Sequence, residues 1–412
     1  MKKALLVAYH FPPLGGGGVF RTLKFTKYLP EFGYQPHVLT VKNPMYGTKD
    51  LTLCGEIPPE AKVYRTFSFE HRIMRAPRLL NINLKWFYMP DDNIGWLPFG
   101  VSTGAKLVKK ENIDVIYATS PLWTSLLIGF FLKRKTKKPL VIDFRDPWTD
   151  NPFIRYPTKY HKRFERKMEK TILSQADYVT VAFDSIKNNL IKRYPFLKSK
   201  IAIITNGFDS DDLKDLEMRK KTGKFTIAHV GSIYGLLTAK PFLIAVKELV
   251  EENKEFKEKL EVVFVGNYGK ETPLLVKEYG LEANVRFVGY VPHREGLEFM
   301  VNSQALLLLV TVEGPKGEGM LPGKVFEYLA SRRPIIALAP ENGLAANVIK
   351  SSNAGTVVPP MNVQRIKNAI SDFYEQWKEG KSPTTAGSVE NITRYDRKVL
   401  TQRLAQIFEK IT

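Results

Sequence analysis

The sequence predicts an α/β fold built as two doubly wound domains facing one another across a cleft. Three observations point there. Short apolar runs alternate with helix-length stretches along the whole chain, the pattern of parallel strands covered by helices. The series is interrupted once, by a polar, charge-crowded stretch, and then begins again. The chain has 412 residues, 44% of them hydrophobic and 25% charged, which is ample apolar material for two cores.

The first series opens with Ala4–Tyr9, apolar on both faces as a buried parallel strand should be. A glycine-rich turn leads into a helix expected over Phe20–Phe32, with Gly33 as its stop. Strands follow at His37–Val41, Val115–Ala118, Leu140–Asp143, Tyr178–Ala182 and Lys200–Thr205. Residues 206–224 read as the inter-domain linker, which sets a first Rossmann-like domain at 1–205 and a second at 225–385. Within the second, strands are expected at Thr226–Val230, Glu261–Val265, Val285–Val288, Ala305–Val310, Pro334–Leu338 and Thr356–Val358, with helices at Pro241–Glu252 and Lys324–Ser331. The amphipathic spacing of Val399, Leu400, Leu404, Ile407, Phe408 and Ile411 marks a helix in a C-terminal segment, 386–412, expected to pack back on the first domain.

Composition narrows the function classes. One cysteine, Cys54, allows no internal disulfide and fits a reducing compartment. The apolar start is too short for a signal peptide and lacks a cleavage site before Pro12 and Pro13, and no run is long enough to span a bilayer. A cytoplasmic protein, soluble or peripheral on the inner face of the membrane, is expected. The net charge of +20 is unevenly placed: residues 1–205 carry 34 Lys+Arg against 16 Asp+Glu, and residues 206–412 carry 28 against 26. The first half therefore faces something anionic.

In such sheets ligands bind beyond the carboxyl ends of the strands, so the residues there are the candidates. His10–Gly18 follows the first strand; its glycines, Gly16 and Gly17 among them, let backbone approach a ligand, and Arg21 in the next helical turn adds a charge. Asp143, Arg145 and Asp146 lie at the carboxyl end of the expected strand Leu140–Asp143; either carboxylate could serve as a base, or Asp143 could cap a loop while Arg145 makes a structural ion pair. The most specific stretch is Leu321–Ala330. There Lys324 sits in a first helical turn, suited to a phosphate, and Glu327 lies nearly one turn on, suited to a ribose diol, unless the two are an i,i+3 surface pair.

Pro322–Ala330 followed by Arg333-Pro334-Ile335 resembles the donor-binding helix and following strand of family 4 glycosyltransferases of the GT-B fold. Phe11-Pro12-Pro13 with Gly15–Gly18, Asp143–Trp148, Asn206–Asp209 and Gly231–Gly235 resemble further family segments, in the family's order. The resemblance covers nearly the whole chain. It implies transfer of a sugar from a nucleotide-diphosphate sugar with retention, without a metal or other cofactor, in cell-surface polysaccharide assembly. By position it implies that Glu327 binds the ribose hydroxyls, that Lys324, Gly16 and Gly17 face the diphosphate, that Gly231 opens the second domain's donor loop, and that the backbone from Val288 to Tyr290 reads the base. The sequence departs from the pattern in places. The family's first glutamate falls on Gly319, with Glu318 one place early as its substitute; the arginine after the first glycine of the second domain is Ser232, with Lys240 as the replacement cation; and Thr119-Ser120-Pro121 stands where a histidine is frequent.

Two other readings stay open on the sequence alone: an epimerase or hydrolase of nucleotide sugars with the same fold, and a basic nucleic-acid-binding protein, which the lack of any recognised nucleic-acid motif disfavours. For the transferase, the basic half suggests a glycan or lipid-linked acceptor at an anionic membrane surface. Phe130–Lys138 and Tyr160–Met168 both mix apolar and basic residues and could lie against such a leaflet, or their aromatics could pack inward. Trp86-Phe87-Tyr88 and Trp96 could form an acceptor platform or belong to the core.

Overall fold

The computed structural model describes residues 1–44, 49–69, 88–151, 154–217, 223–381 and 389–412. The chain forms two compact units, Met1–Asn206 together with Arg397–Thr412, and Gly207–Asp396.

The first unit is a seven-stranded parallel sheet in the order β3-β2-β1-β4-β5-β6-β7. Its strands are β1 (Lys2–Val7), β2 (Tyr34–Val41), β3 (Lys62–Thr66), β4 (Val115–Thr119), β5 (Leu140–Phe144), β6 (Tyr178–Val181) and β7 (Ile201–Ile203). Helices α1 (Phe20–Tyr28), α2 (Leu97–Lys110), α3 (Trp123–Thr136), α4 (Lys159–Gln175) and α5 (Asp184–Arg193) cover it. β3 is absent from the expected elements because Lys62–Thr66 sits at the sheet's edge, half exposed, and lacks an apolar run. The expected long first helix is α1 followed by a 3₁₀ turn, Leu29–Phe32, since Pro30 has no N–H to continue an α-helix. Gly33 then ends it at φ +83°, a left-handed conformation that suits glycine. The C-terminal helix, Arg397–Ile411, lays Leu400, Leu404 and Phe408 into the core beside β1 residues Ala4 and Leu6.

Two stretches that the sequence leaves open between surface and core pack largely into the core. Trp96 is buried and donates from Nε1 to Thr66 Oγ1 at 2.6 Å, so it is no platform; Trp86 and Phe87 lie outside the described residues. Most of the apolar part of Phe130–Lys138 also turns inward: Phe130 and Leu132 are buried on α3, while Phe131 is half-buried.

The second unit is a six-stranded parallel sheet in the order β10-β9-β8-β11-β12-β13. It comprises β8 (Phe225–Val230), β9 (Leu260–Val265), β10 (Val285–Gly289), β11 (Ala305–Leu309), β12 (Ile335–Leu338) and β13 (Gly355–Val358). Its helices include α6 (Lys240–Glu252), α7 (Glu271–Glu278), α8 (His293–Asn302), α9 (Gly314–Glu318), α10 (Lys324–Ser331), α11 (Leu344–Ser351) and α12 (Val363–Lys378). Alternate residues of the buried strands feed two apolar layers, one with Ile227, Val262 and Leu307 under α6 and α12, the other with Ala228, Val263 and Leu308 under α10 and α11. In each sheet the strand order reverses once, between β1 and β4 and between β8 and β11. The ends of those strands splay apart, which is where a crevice forms.

Candidate active site

In the first unit, the crevice at the β1/β4 reversal is lined by His10, Gly18, Thr119, Ser120, Pro121 and Arg145. Gly16 and Gly17 are exposed, and Gly16 has φ +86°. A Cβ built on either would meet nothing within 4 Å, so this stretch of backbone stands open to a ligand. Arg145 organises the loop, donating to Gly18 O at 2.6 Å and Gly17 O at 2.9 Å, while its own N–H donates to Ser120 Oγ at 3.1 Å. Holding the loop's carbonyls leaves a guanidinium beside it. His10 next to Arg145 is neutral at ordinary pH: burial, aided by that cation, lowers its pKa to about 4. Asp146 remains exposed.

Arg21 and Asp143 occupy different places from those expected. Arg21 Nε and Nη2 donate to the two oxygens of Asp143 at 2.9 and 2.7 Å, and both side chains are fully buried. Thr119 and Thr180 each donate to the same carboxylate at 2.6 Å. Arg21 further donates to the carbonyls of Thr205 at 2.7 Å and Ile204 at 2.8 Å. Asp143 therefore has its acceptor sites taken, and the cation beside it holds its carboxyl below the usual range against the cost of burial. The geometry corrects both expectations: Asp143 cannot reach a substrate proton as a base, and Arg21 cannot reach a diphosphate. The pair ties α1 to β5 and to the end of β7.

In the second unit, Lys324 and Glu327 stand on the first turn of α10, at the β8/β11 reversal. They do not pair with each other. Lys324 Nζ lies 3.2 Å from His229 Nε2, and Glu327 Oε1 lies 3.0 Å from His293 Nε2. Burial lowers the Lys324 pKa to about 8, with Glu327 opposing the shift. Gly231 has φ +129°, a conformation that suits glycine, and the end of the Lys324 side chain fills the space a Cβ would take. Tyr328, one residue past Glu327, bolts the helix down by accepting from Val230 N at 2.9 Å.

The remaining candidates are less engaged. Val288 is half-buried and Tyr290 exposed, flanking Gly289 at φ +82°. Lys240 is exposed at the start of α6, where its N–H donates to Thr238 Oγ1 at 3.1 Å. Glu318 ends the short helix α9 and is exposed. Sequence reasoning gave no role to His229, His293, Ser120 or Tyr328. The signal for the two histidines was positional: each lies at a strand end or helix start beside the α10 motif.

Two reversing parallel sheets with open glycine backbone in one and a helix-borne lysine and glutamate in the other define an enzyme of the GT-B class, two Rossmann-like domains in one chain. The family comparisons agree. Residues 15–212 match Glycosyltransferase Family 4, and residues 214–388 match Glycosyl transferases group 1. The chain belongs to the GT-B glycosyltransferases of the family 4 kind. No curated protein matches its sequence. Among solved structures, it resembles a sucrose-phosphate synthase from Thermosynechococcus elongatus (16% identity, 100% of this chain and 99% of that one, TM-score 0.69). It also resembles a glycosyltransferase from Rickettsia africae (15%, 100% and 98%, TM-score 0.68) and Anabaena HepE in complex with UDP-glucose (14%, 100% and 100%, TM-score 0.64). At these identities the likeness is one of fold.

Proposed function

We propose that the second unit binds a nucleotide-diphosphate sugar and that the chain transfers its sugar, with retention, to a glycan or lipid-linked acceptor engaged by the first unit. One observation carries the reading: on a single helical turn at the β8/β11 reversal, an ammonium and a carboxylate face the strand ends without pairing with each other. The ammonium suits a diphosphate and the carboxylate a ribose diol. In this reading Gly289 and its neighbours Val288 and Tyr290 present backbone to the base.

The chemistry follows from charge. As the bond from the anomeric carbon to the diphosphate oxygen breaks, positive charge grows on the sugar and negative charge on the leaving group. Lys324, set in a poorly solvated position, stabilises that leaving group more than it would in water. The reading assigns this charge to protein groups and helix N-termini rather than to a metal ion. For retention, the departing phosphate oxygen takes the acceptor's proton on the same face of the sugar, so no protein carboxylate is needed as a base. If the outcome is inversion, Asp146, exposed at the end of β5, is the base that remains.

The acceptor side of the proposal rests on α4. Its inner face carries Glu165 and Glu169, both buried, and its outer face carries Tyr160, Arg163, Phe164, Lys167 and Lys170. Tyr160 is 83% exposed and Phe164 51%, so these aromatics do not pack inward. A basic, aromatic outer face suits an anionic leaflet and a lipid-linked acceptor in cell-surface glycan assembly. No described helix is long and apolar enough to cross a membrane.

The experiment is thermal unfolding with UDP, GDP, ADP, CDP and dTDP, each beside Glu327→Ala. A nucleotide at about 100 times its dissociation constant adds roughly 2.7 kcal/mol. Stabilisation of the wild type by one diphosphate, lost in the variant, supports the donor site. The anomeric configuration of product formed with that donor then decides retention. Indifference of the wild type to all five would remove the reading.

A further inference from the structure

Pairing between β8 and β11 runs only through Ile227–Ala305 and Ala228–Leu306. Past that point backbone groups turn to side chains. Val230 N–H donates to Tyr328 Oη, and Leu307 O accepts from His229 Nδ1 at 2.9 Å. A carbonyl oxygen only accepts, so Nδ1 carries the ring's proton. His229 is fully buried at the end of β8, and burial together with the Lys324 charge holds its pKa well below the usual imidazole range. The ring is therefore neutral, and Nε2 presents a bare lone pair. Lys324 Nζ, 3.2 Å away, is the donor to it.

This fixes more than one bond. The Lys324 side chain runs across Gly231 where a Cβ would block it, and its tip meets His229. No other described residue accepts from that ammonium. A lysine on a flexible four-carbon stem would otherwise sample many rotamers. We propose that His229 is a positioning residue for the donor's diphosphate: its Nε2 lone pair, oriented by the Leu307 carbonyl, holds the Lys324 ammonium at the crevice with its other N–H groups directed to phosphate oxygens. The inference rests on the donor reading above. His229 touches no substrate; it acts through Lys324.

Two substitutions separate this role from a structural one. His229→Asn keeps a donor within reach of the Leu307 carbonyl but has no atom at the position of Nε2. His229→Gln extends an amide oxygen to that position. Binding is measured by calorimetry on the full chain, with UDP, GDP, ADP, CDP and dTDP and with the five matching monophosphates. We expect His229→Asn to weaken the preferred diphosphate on the order of tenfold, as for a lost hydrogen bond to a charged group. Its monophosphate should bind as to the wild type, and His229→Gln should recover the diphosphate. In a Lys324→Met background, His229→Asn should cost nothing further. An equal loss of mono- and diphosphate, or no loss of either, overturns the proposal while leaving the donor site standing. If no diphosphate binds the wild type, the donor reading and this one fall together. Nitrogen resonances of the wild-type His229 ring give a check that needs no variant to fold: an unprotonated Nε2 is expected, and a protonated one overturns the proposal.

Discussion

Arg21 and Asp143 meet as a two-pronged ion pair, at 2.9 and 2.7 Å, in the fully buried centre of the first unit. Two charges removed from water are tolerable only because every contact is answered: the carboxylate by the guanidinium and two threonine hydroxyls, the guanidinium by two backbone carbonyls as well. Removing one partner strands the other. Asp143→Ala should therefore cost about 3–5 kcal/mol of stability, the range for breaking a buried pair. Denaturant unfolding measures it. Nucleotide affinity of the folded variant should be unchanged, since the second unit holds the donor in our reading. Wild-type stability in Asp143→Ala would mean the carboxylate is not structural.

Glu327 should distinguish nucleotides by their sugar. Its carboxylate is partly exposed and is steadied by His293, which lies 3.0 Å from Oε1. A hydrogen bond from a ribose hydroxyl to a charged acceptor contributes roughly 1.5–3 kcal/mol. Calorimetry should show the wild type preferring a ribonucleoside diphosphate over its 2′-deoxy form by about tenfold or more, and Glu327→Ala should flatten that preference. A preference that survives in the variant would place the sugar elsewhere.

What could be read from the sequence, and what could not, follows from range. Apolar runs such as Leu140–Phe144 and Ala305–Leu309 announce themselves, because burial on both faces leaves no polar position. Lys62–Thr66 did not, since an edge strand is paired on one side only and keeps polar residues. Lys324 and Glu327 were legible because both lie on one helical turn. Arg21 and Asp143 were each noticed, yet their pairing was not, because 122 positions separate them and nothing local distinguishes a structural aspartate from a reactive one. His229 was hidden inside an ordinary strand, because the lysine it meets lies 95 residues away.

Lys324 predicts a dependence on pH. Burial lowers its pKa from the ordinary 10.5 to about 8, against the pull of Glu327. Diphosphate binding needs the ammonium, so affinity should be level below that value and fall by about tenfold per pH unit above it, as for loss of one proton. Stability runs the other way. Between the folded and unfolded values the unfolded chain binds the extra proton, so this residue's contribution to stability rises with pH across that window. Calorimetry from pH 6.5 to 9.5 tests the binding limb, and Lys324→Met should abolish it. That variant should also lose about 2.7–4 kcal/mol of transition-state stabilisation, the range for a preorganised group facing developing charge. A slope unchanged in the variant would trace the titration to another group.

The outer face of α4 makes the last prediction, because its two faces do different work. Inside, Glu165 accepts from Trp148 Nε1 at 2.8 Å and Tyr156 Oη at 2.9 Å, which fixes the helix to the segment that follows β5. Outside, Arg163, Lys167 and Lys170 surround exposed Tyr160 and Phe164. If that surface meets an anionic leaflet, each cation contributes about 1 kcal/mol, so replacing all three by alanine should weaken binding to phosphatidylserine vesicles by roughly 150-fold. Tyr160→Ser with Phe164→Ser should weaken it further, and in a way that added salt does not mimic, since apolar insertion is not screened. Neither set touches the buried acids, so unfolding midpoints should stay near wild type. Flotation at low and high salt separates the terms. Vesicle binding that survives both sets of changes would move the membrane surface away from α4, and wild-type protein that never floats would leave the basic face to a soluble anionic acceptor.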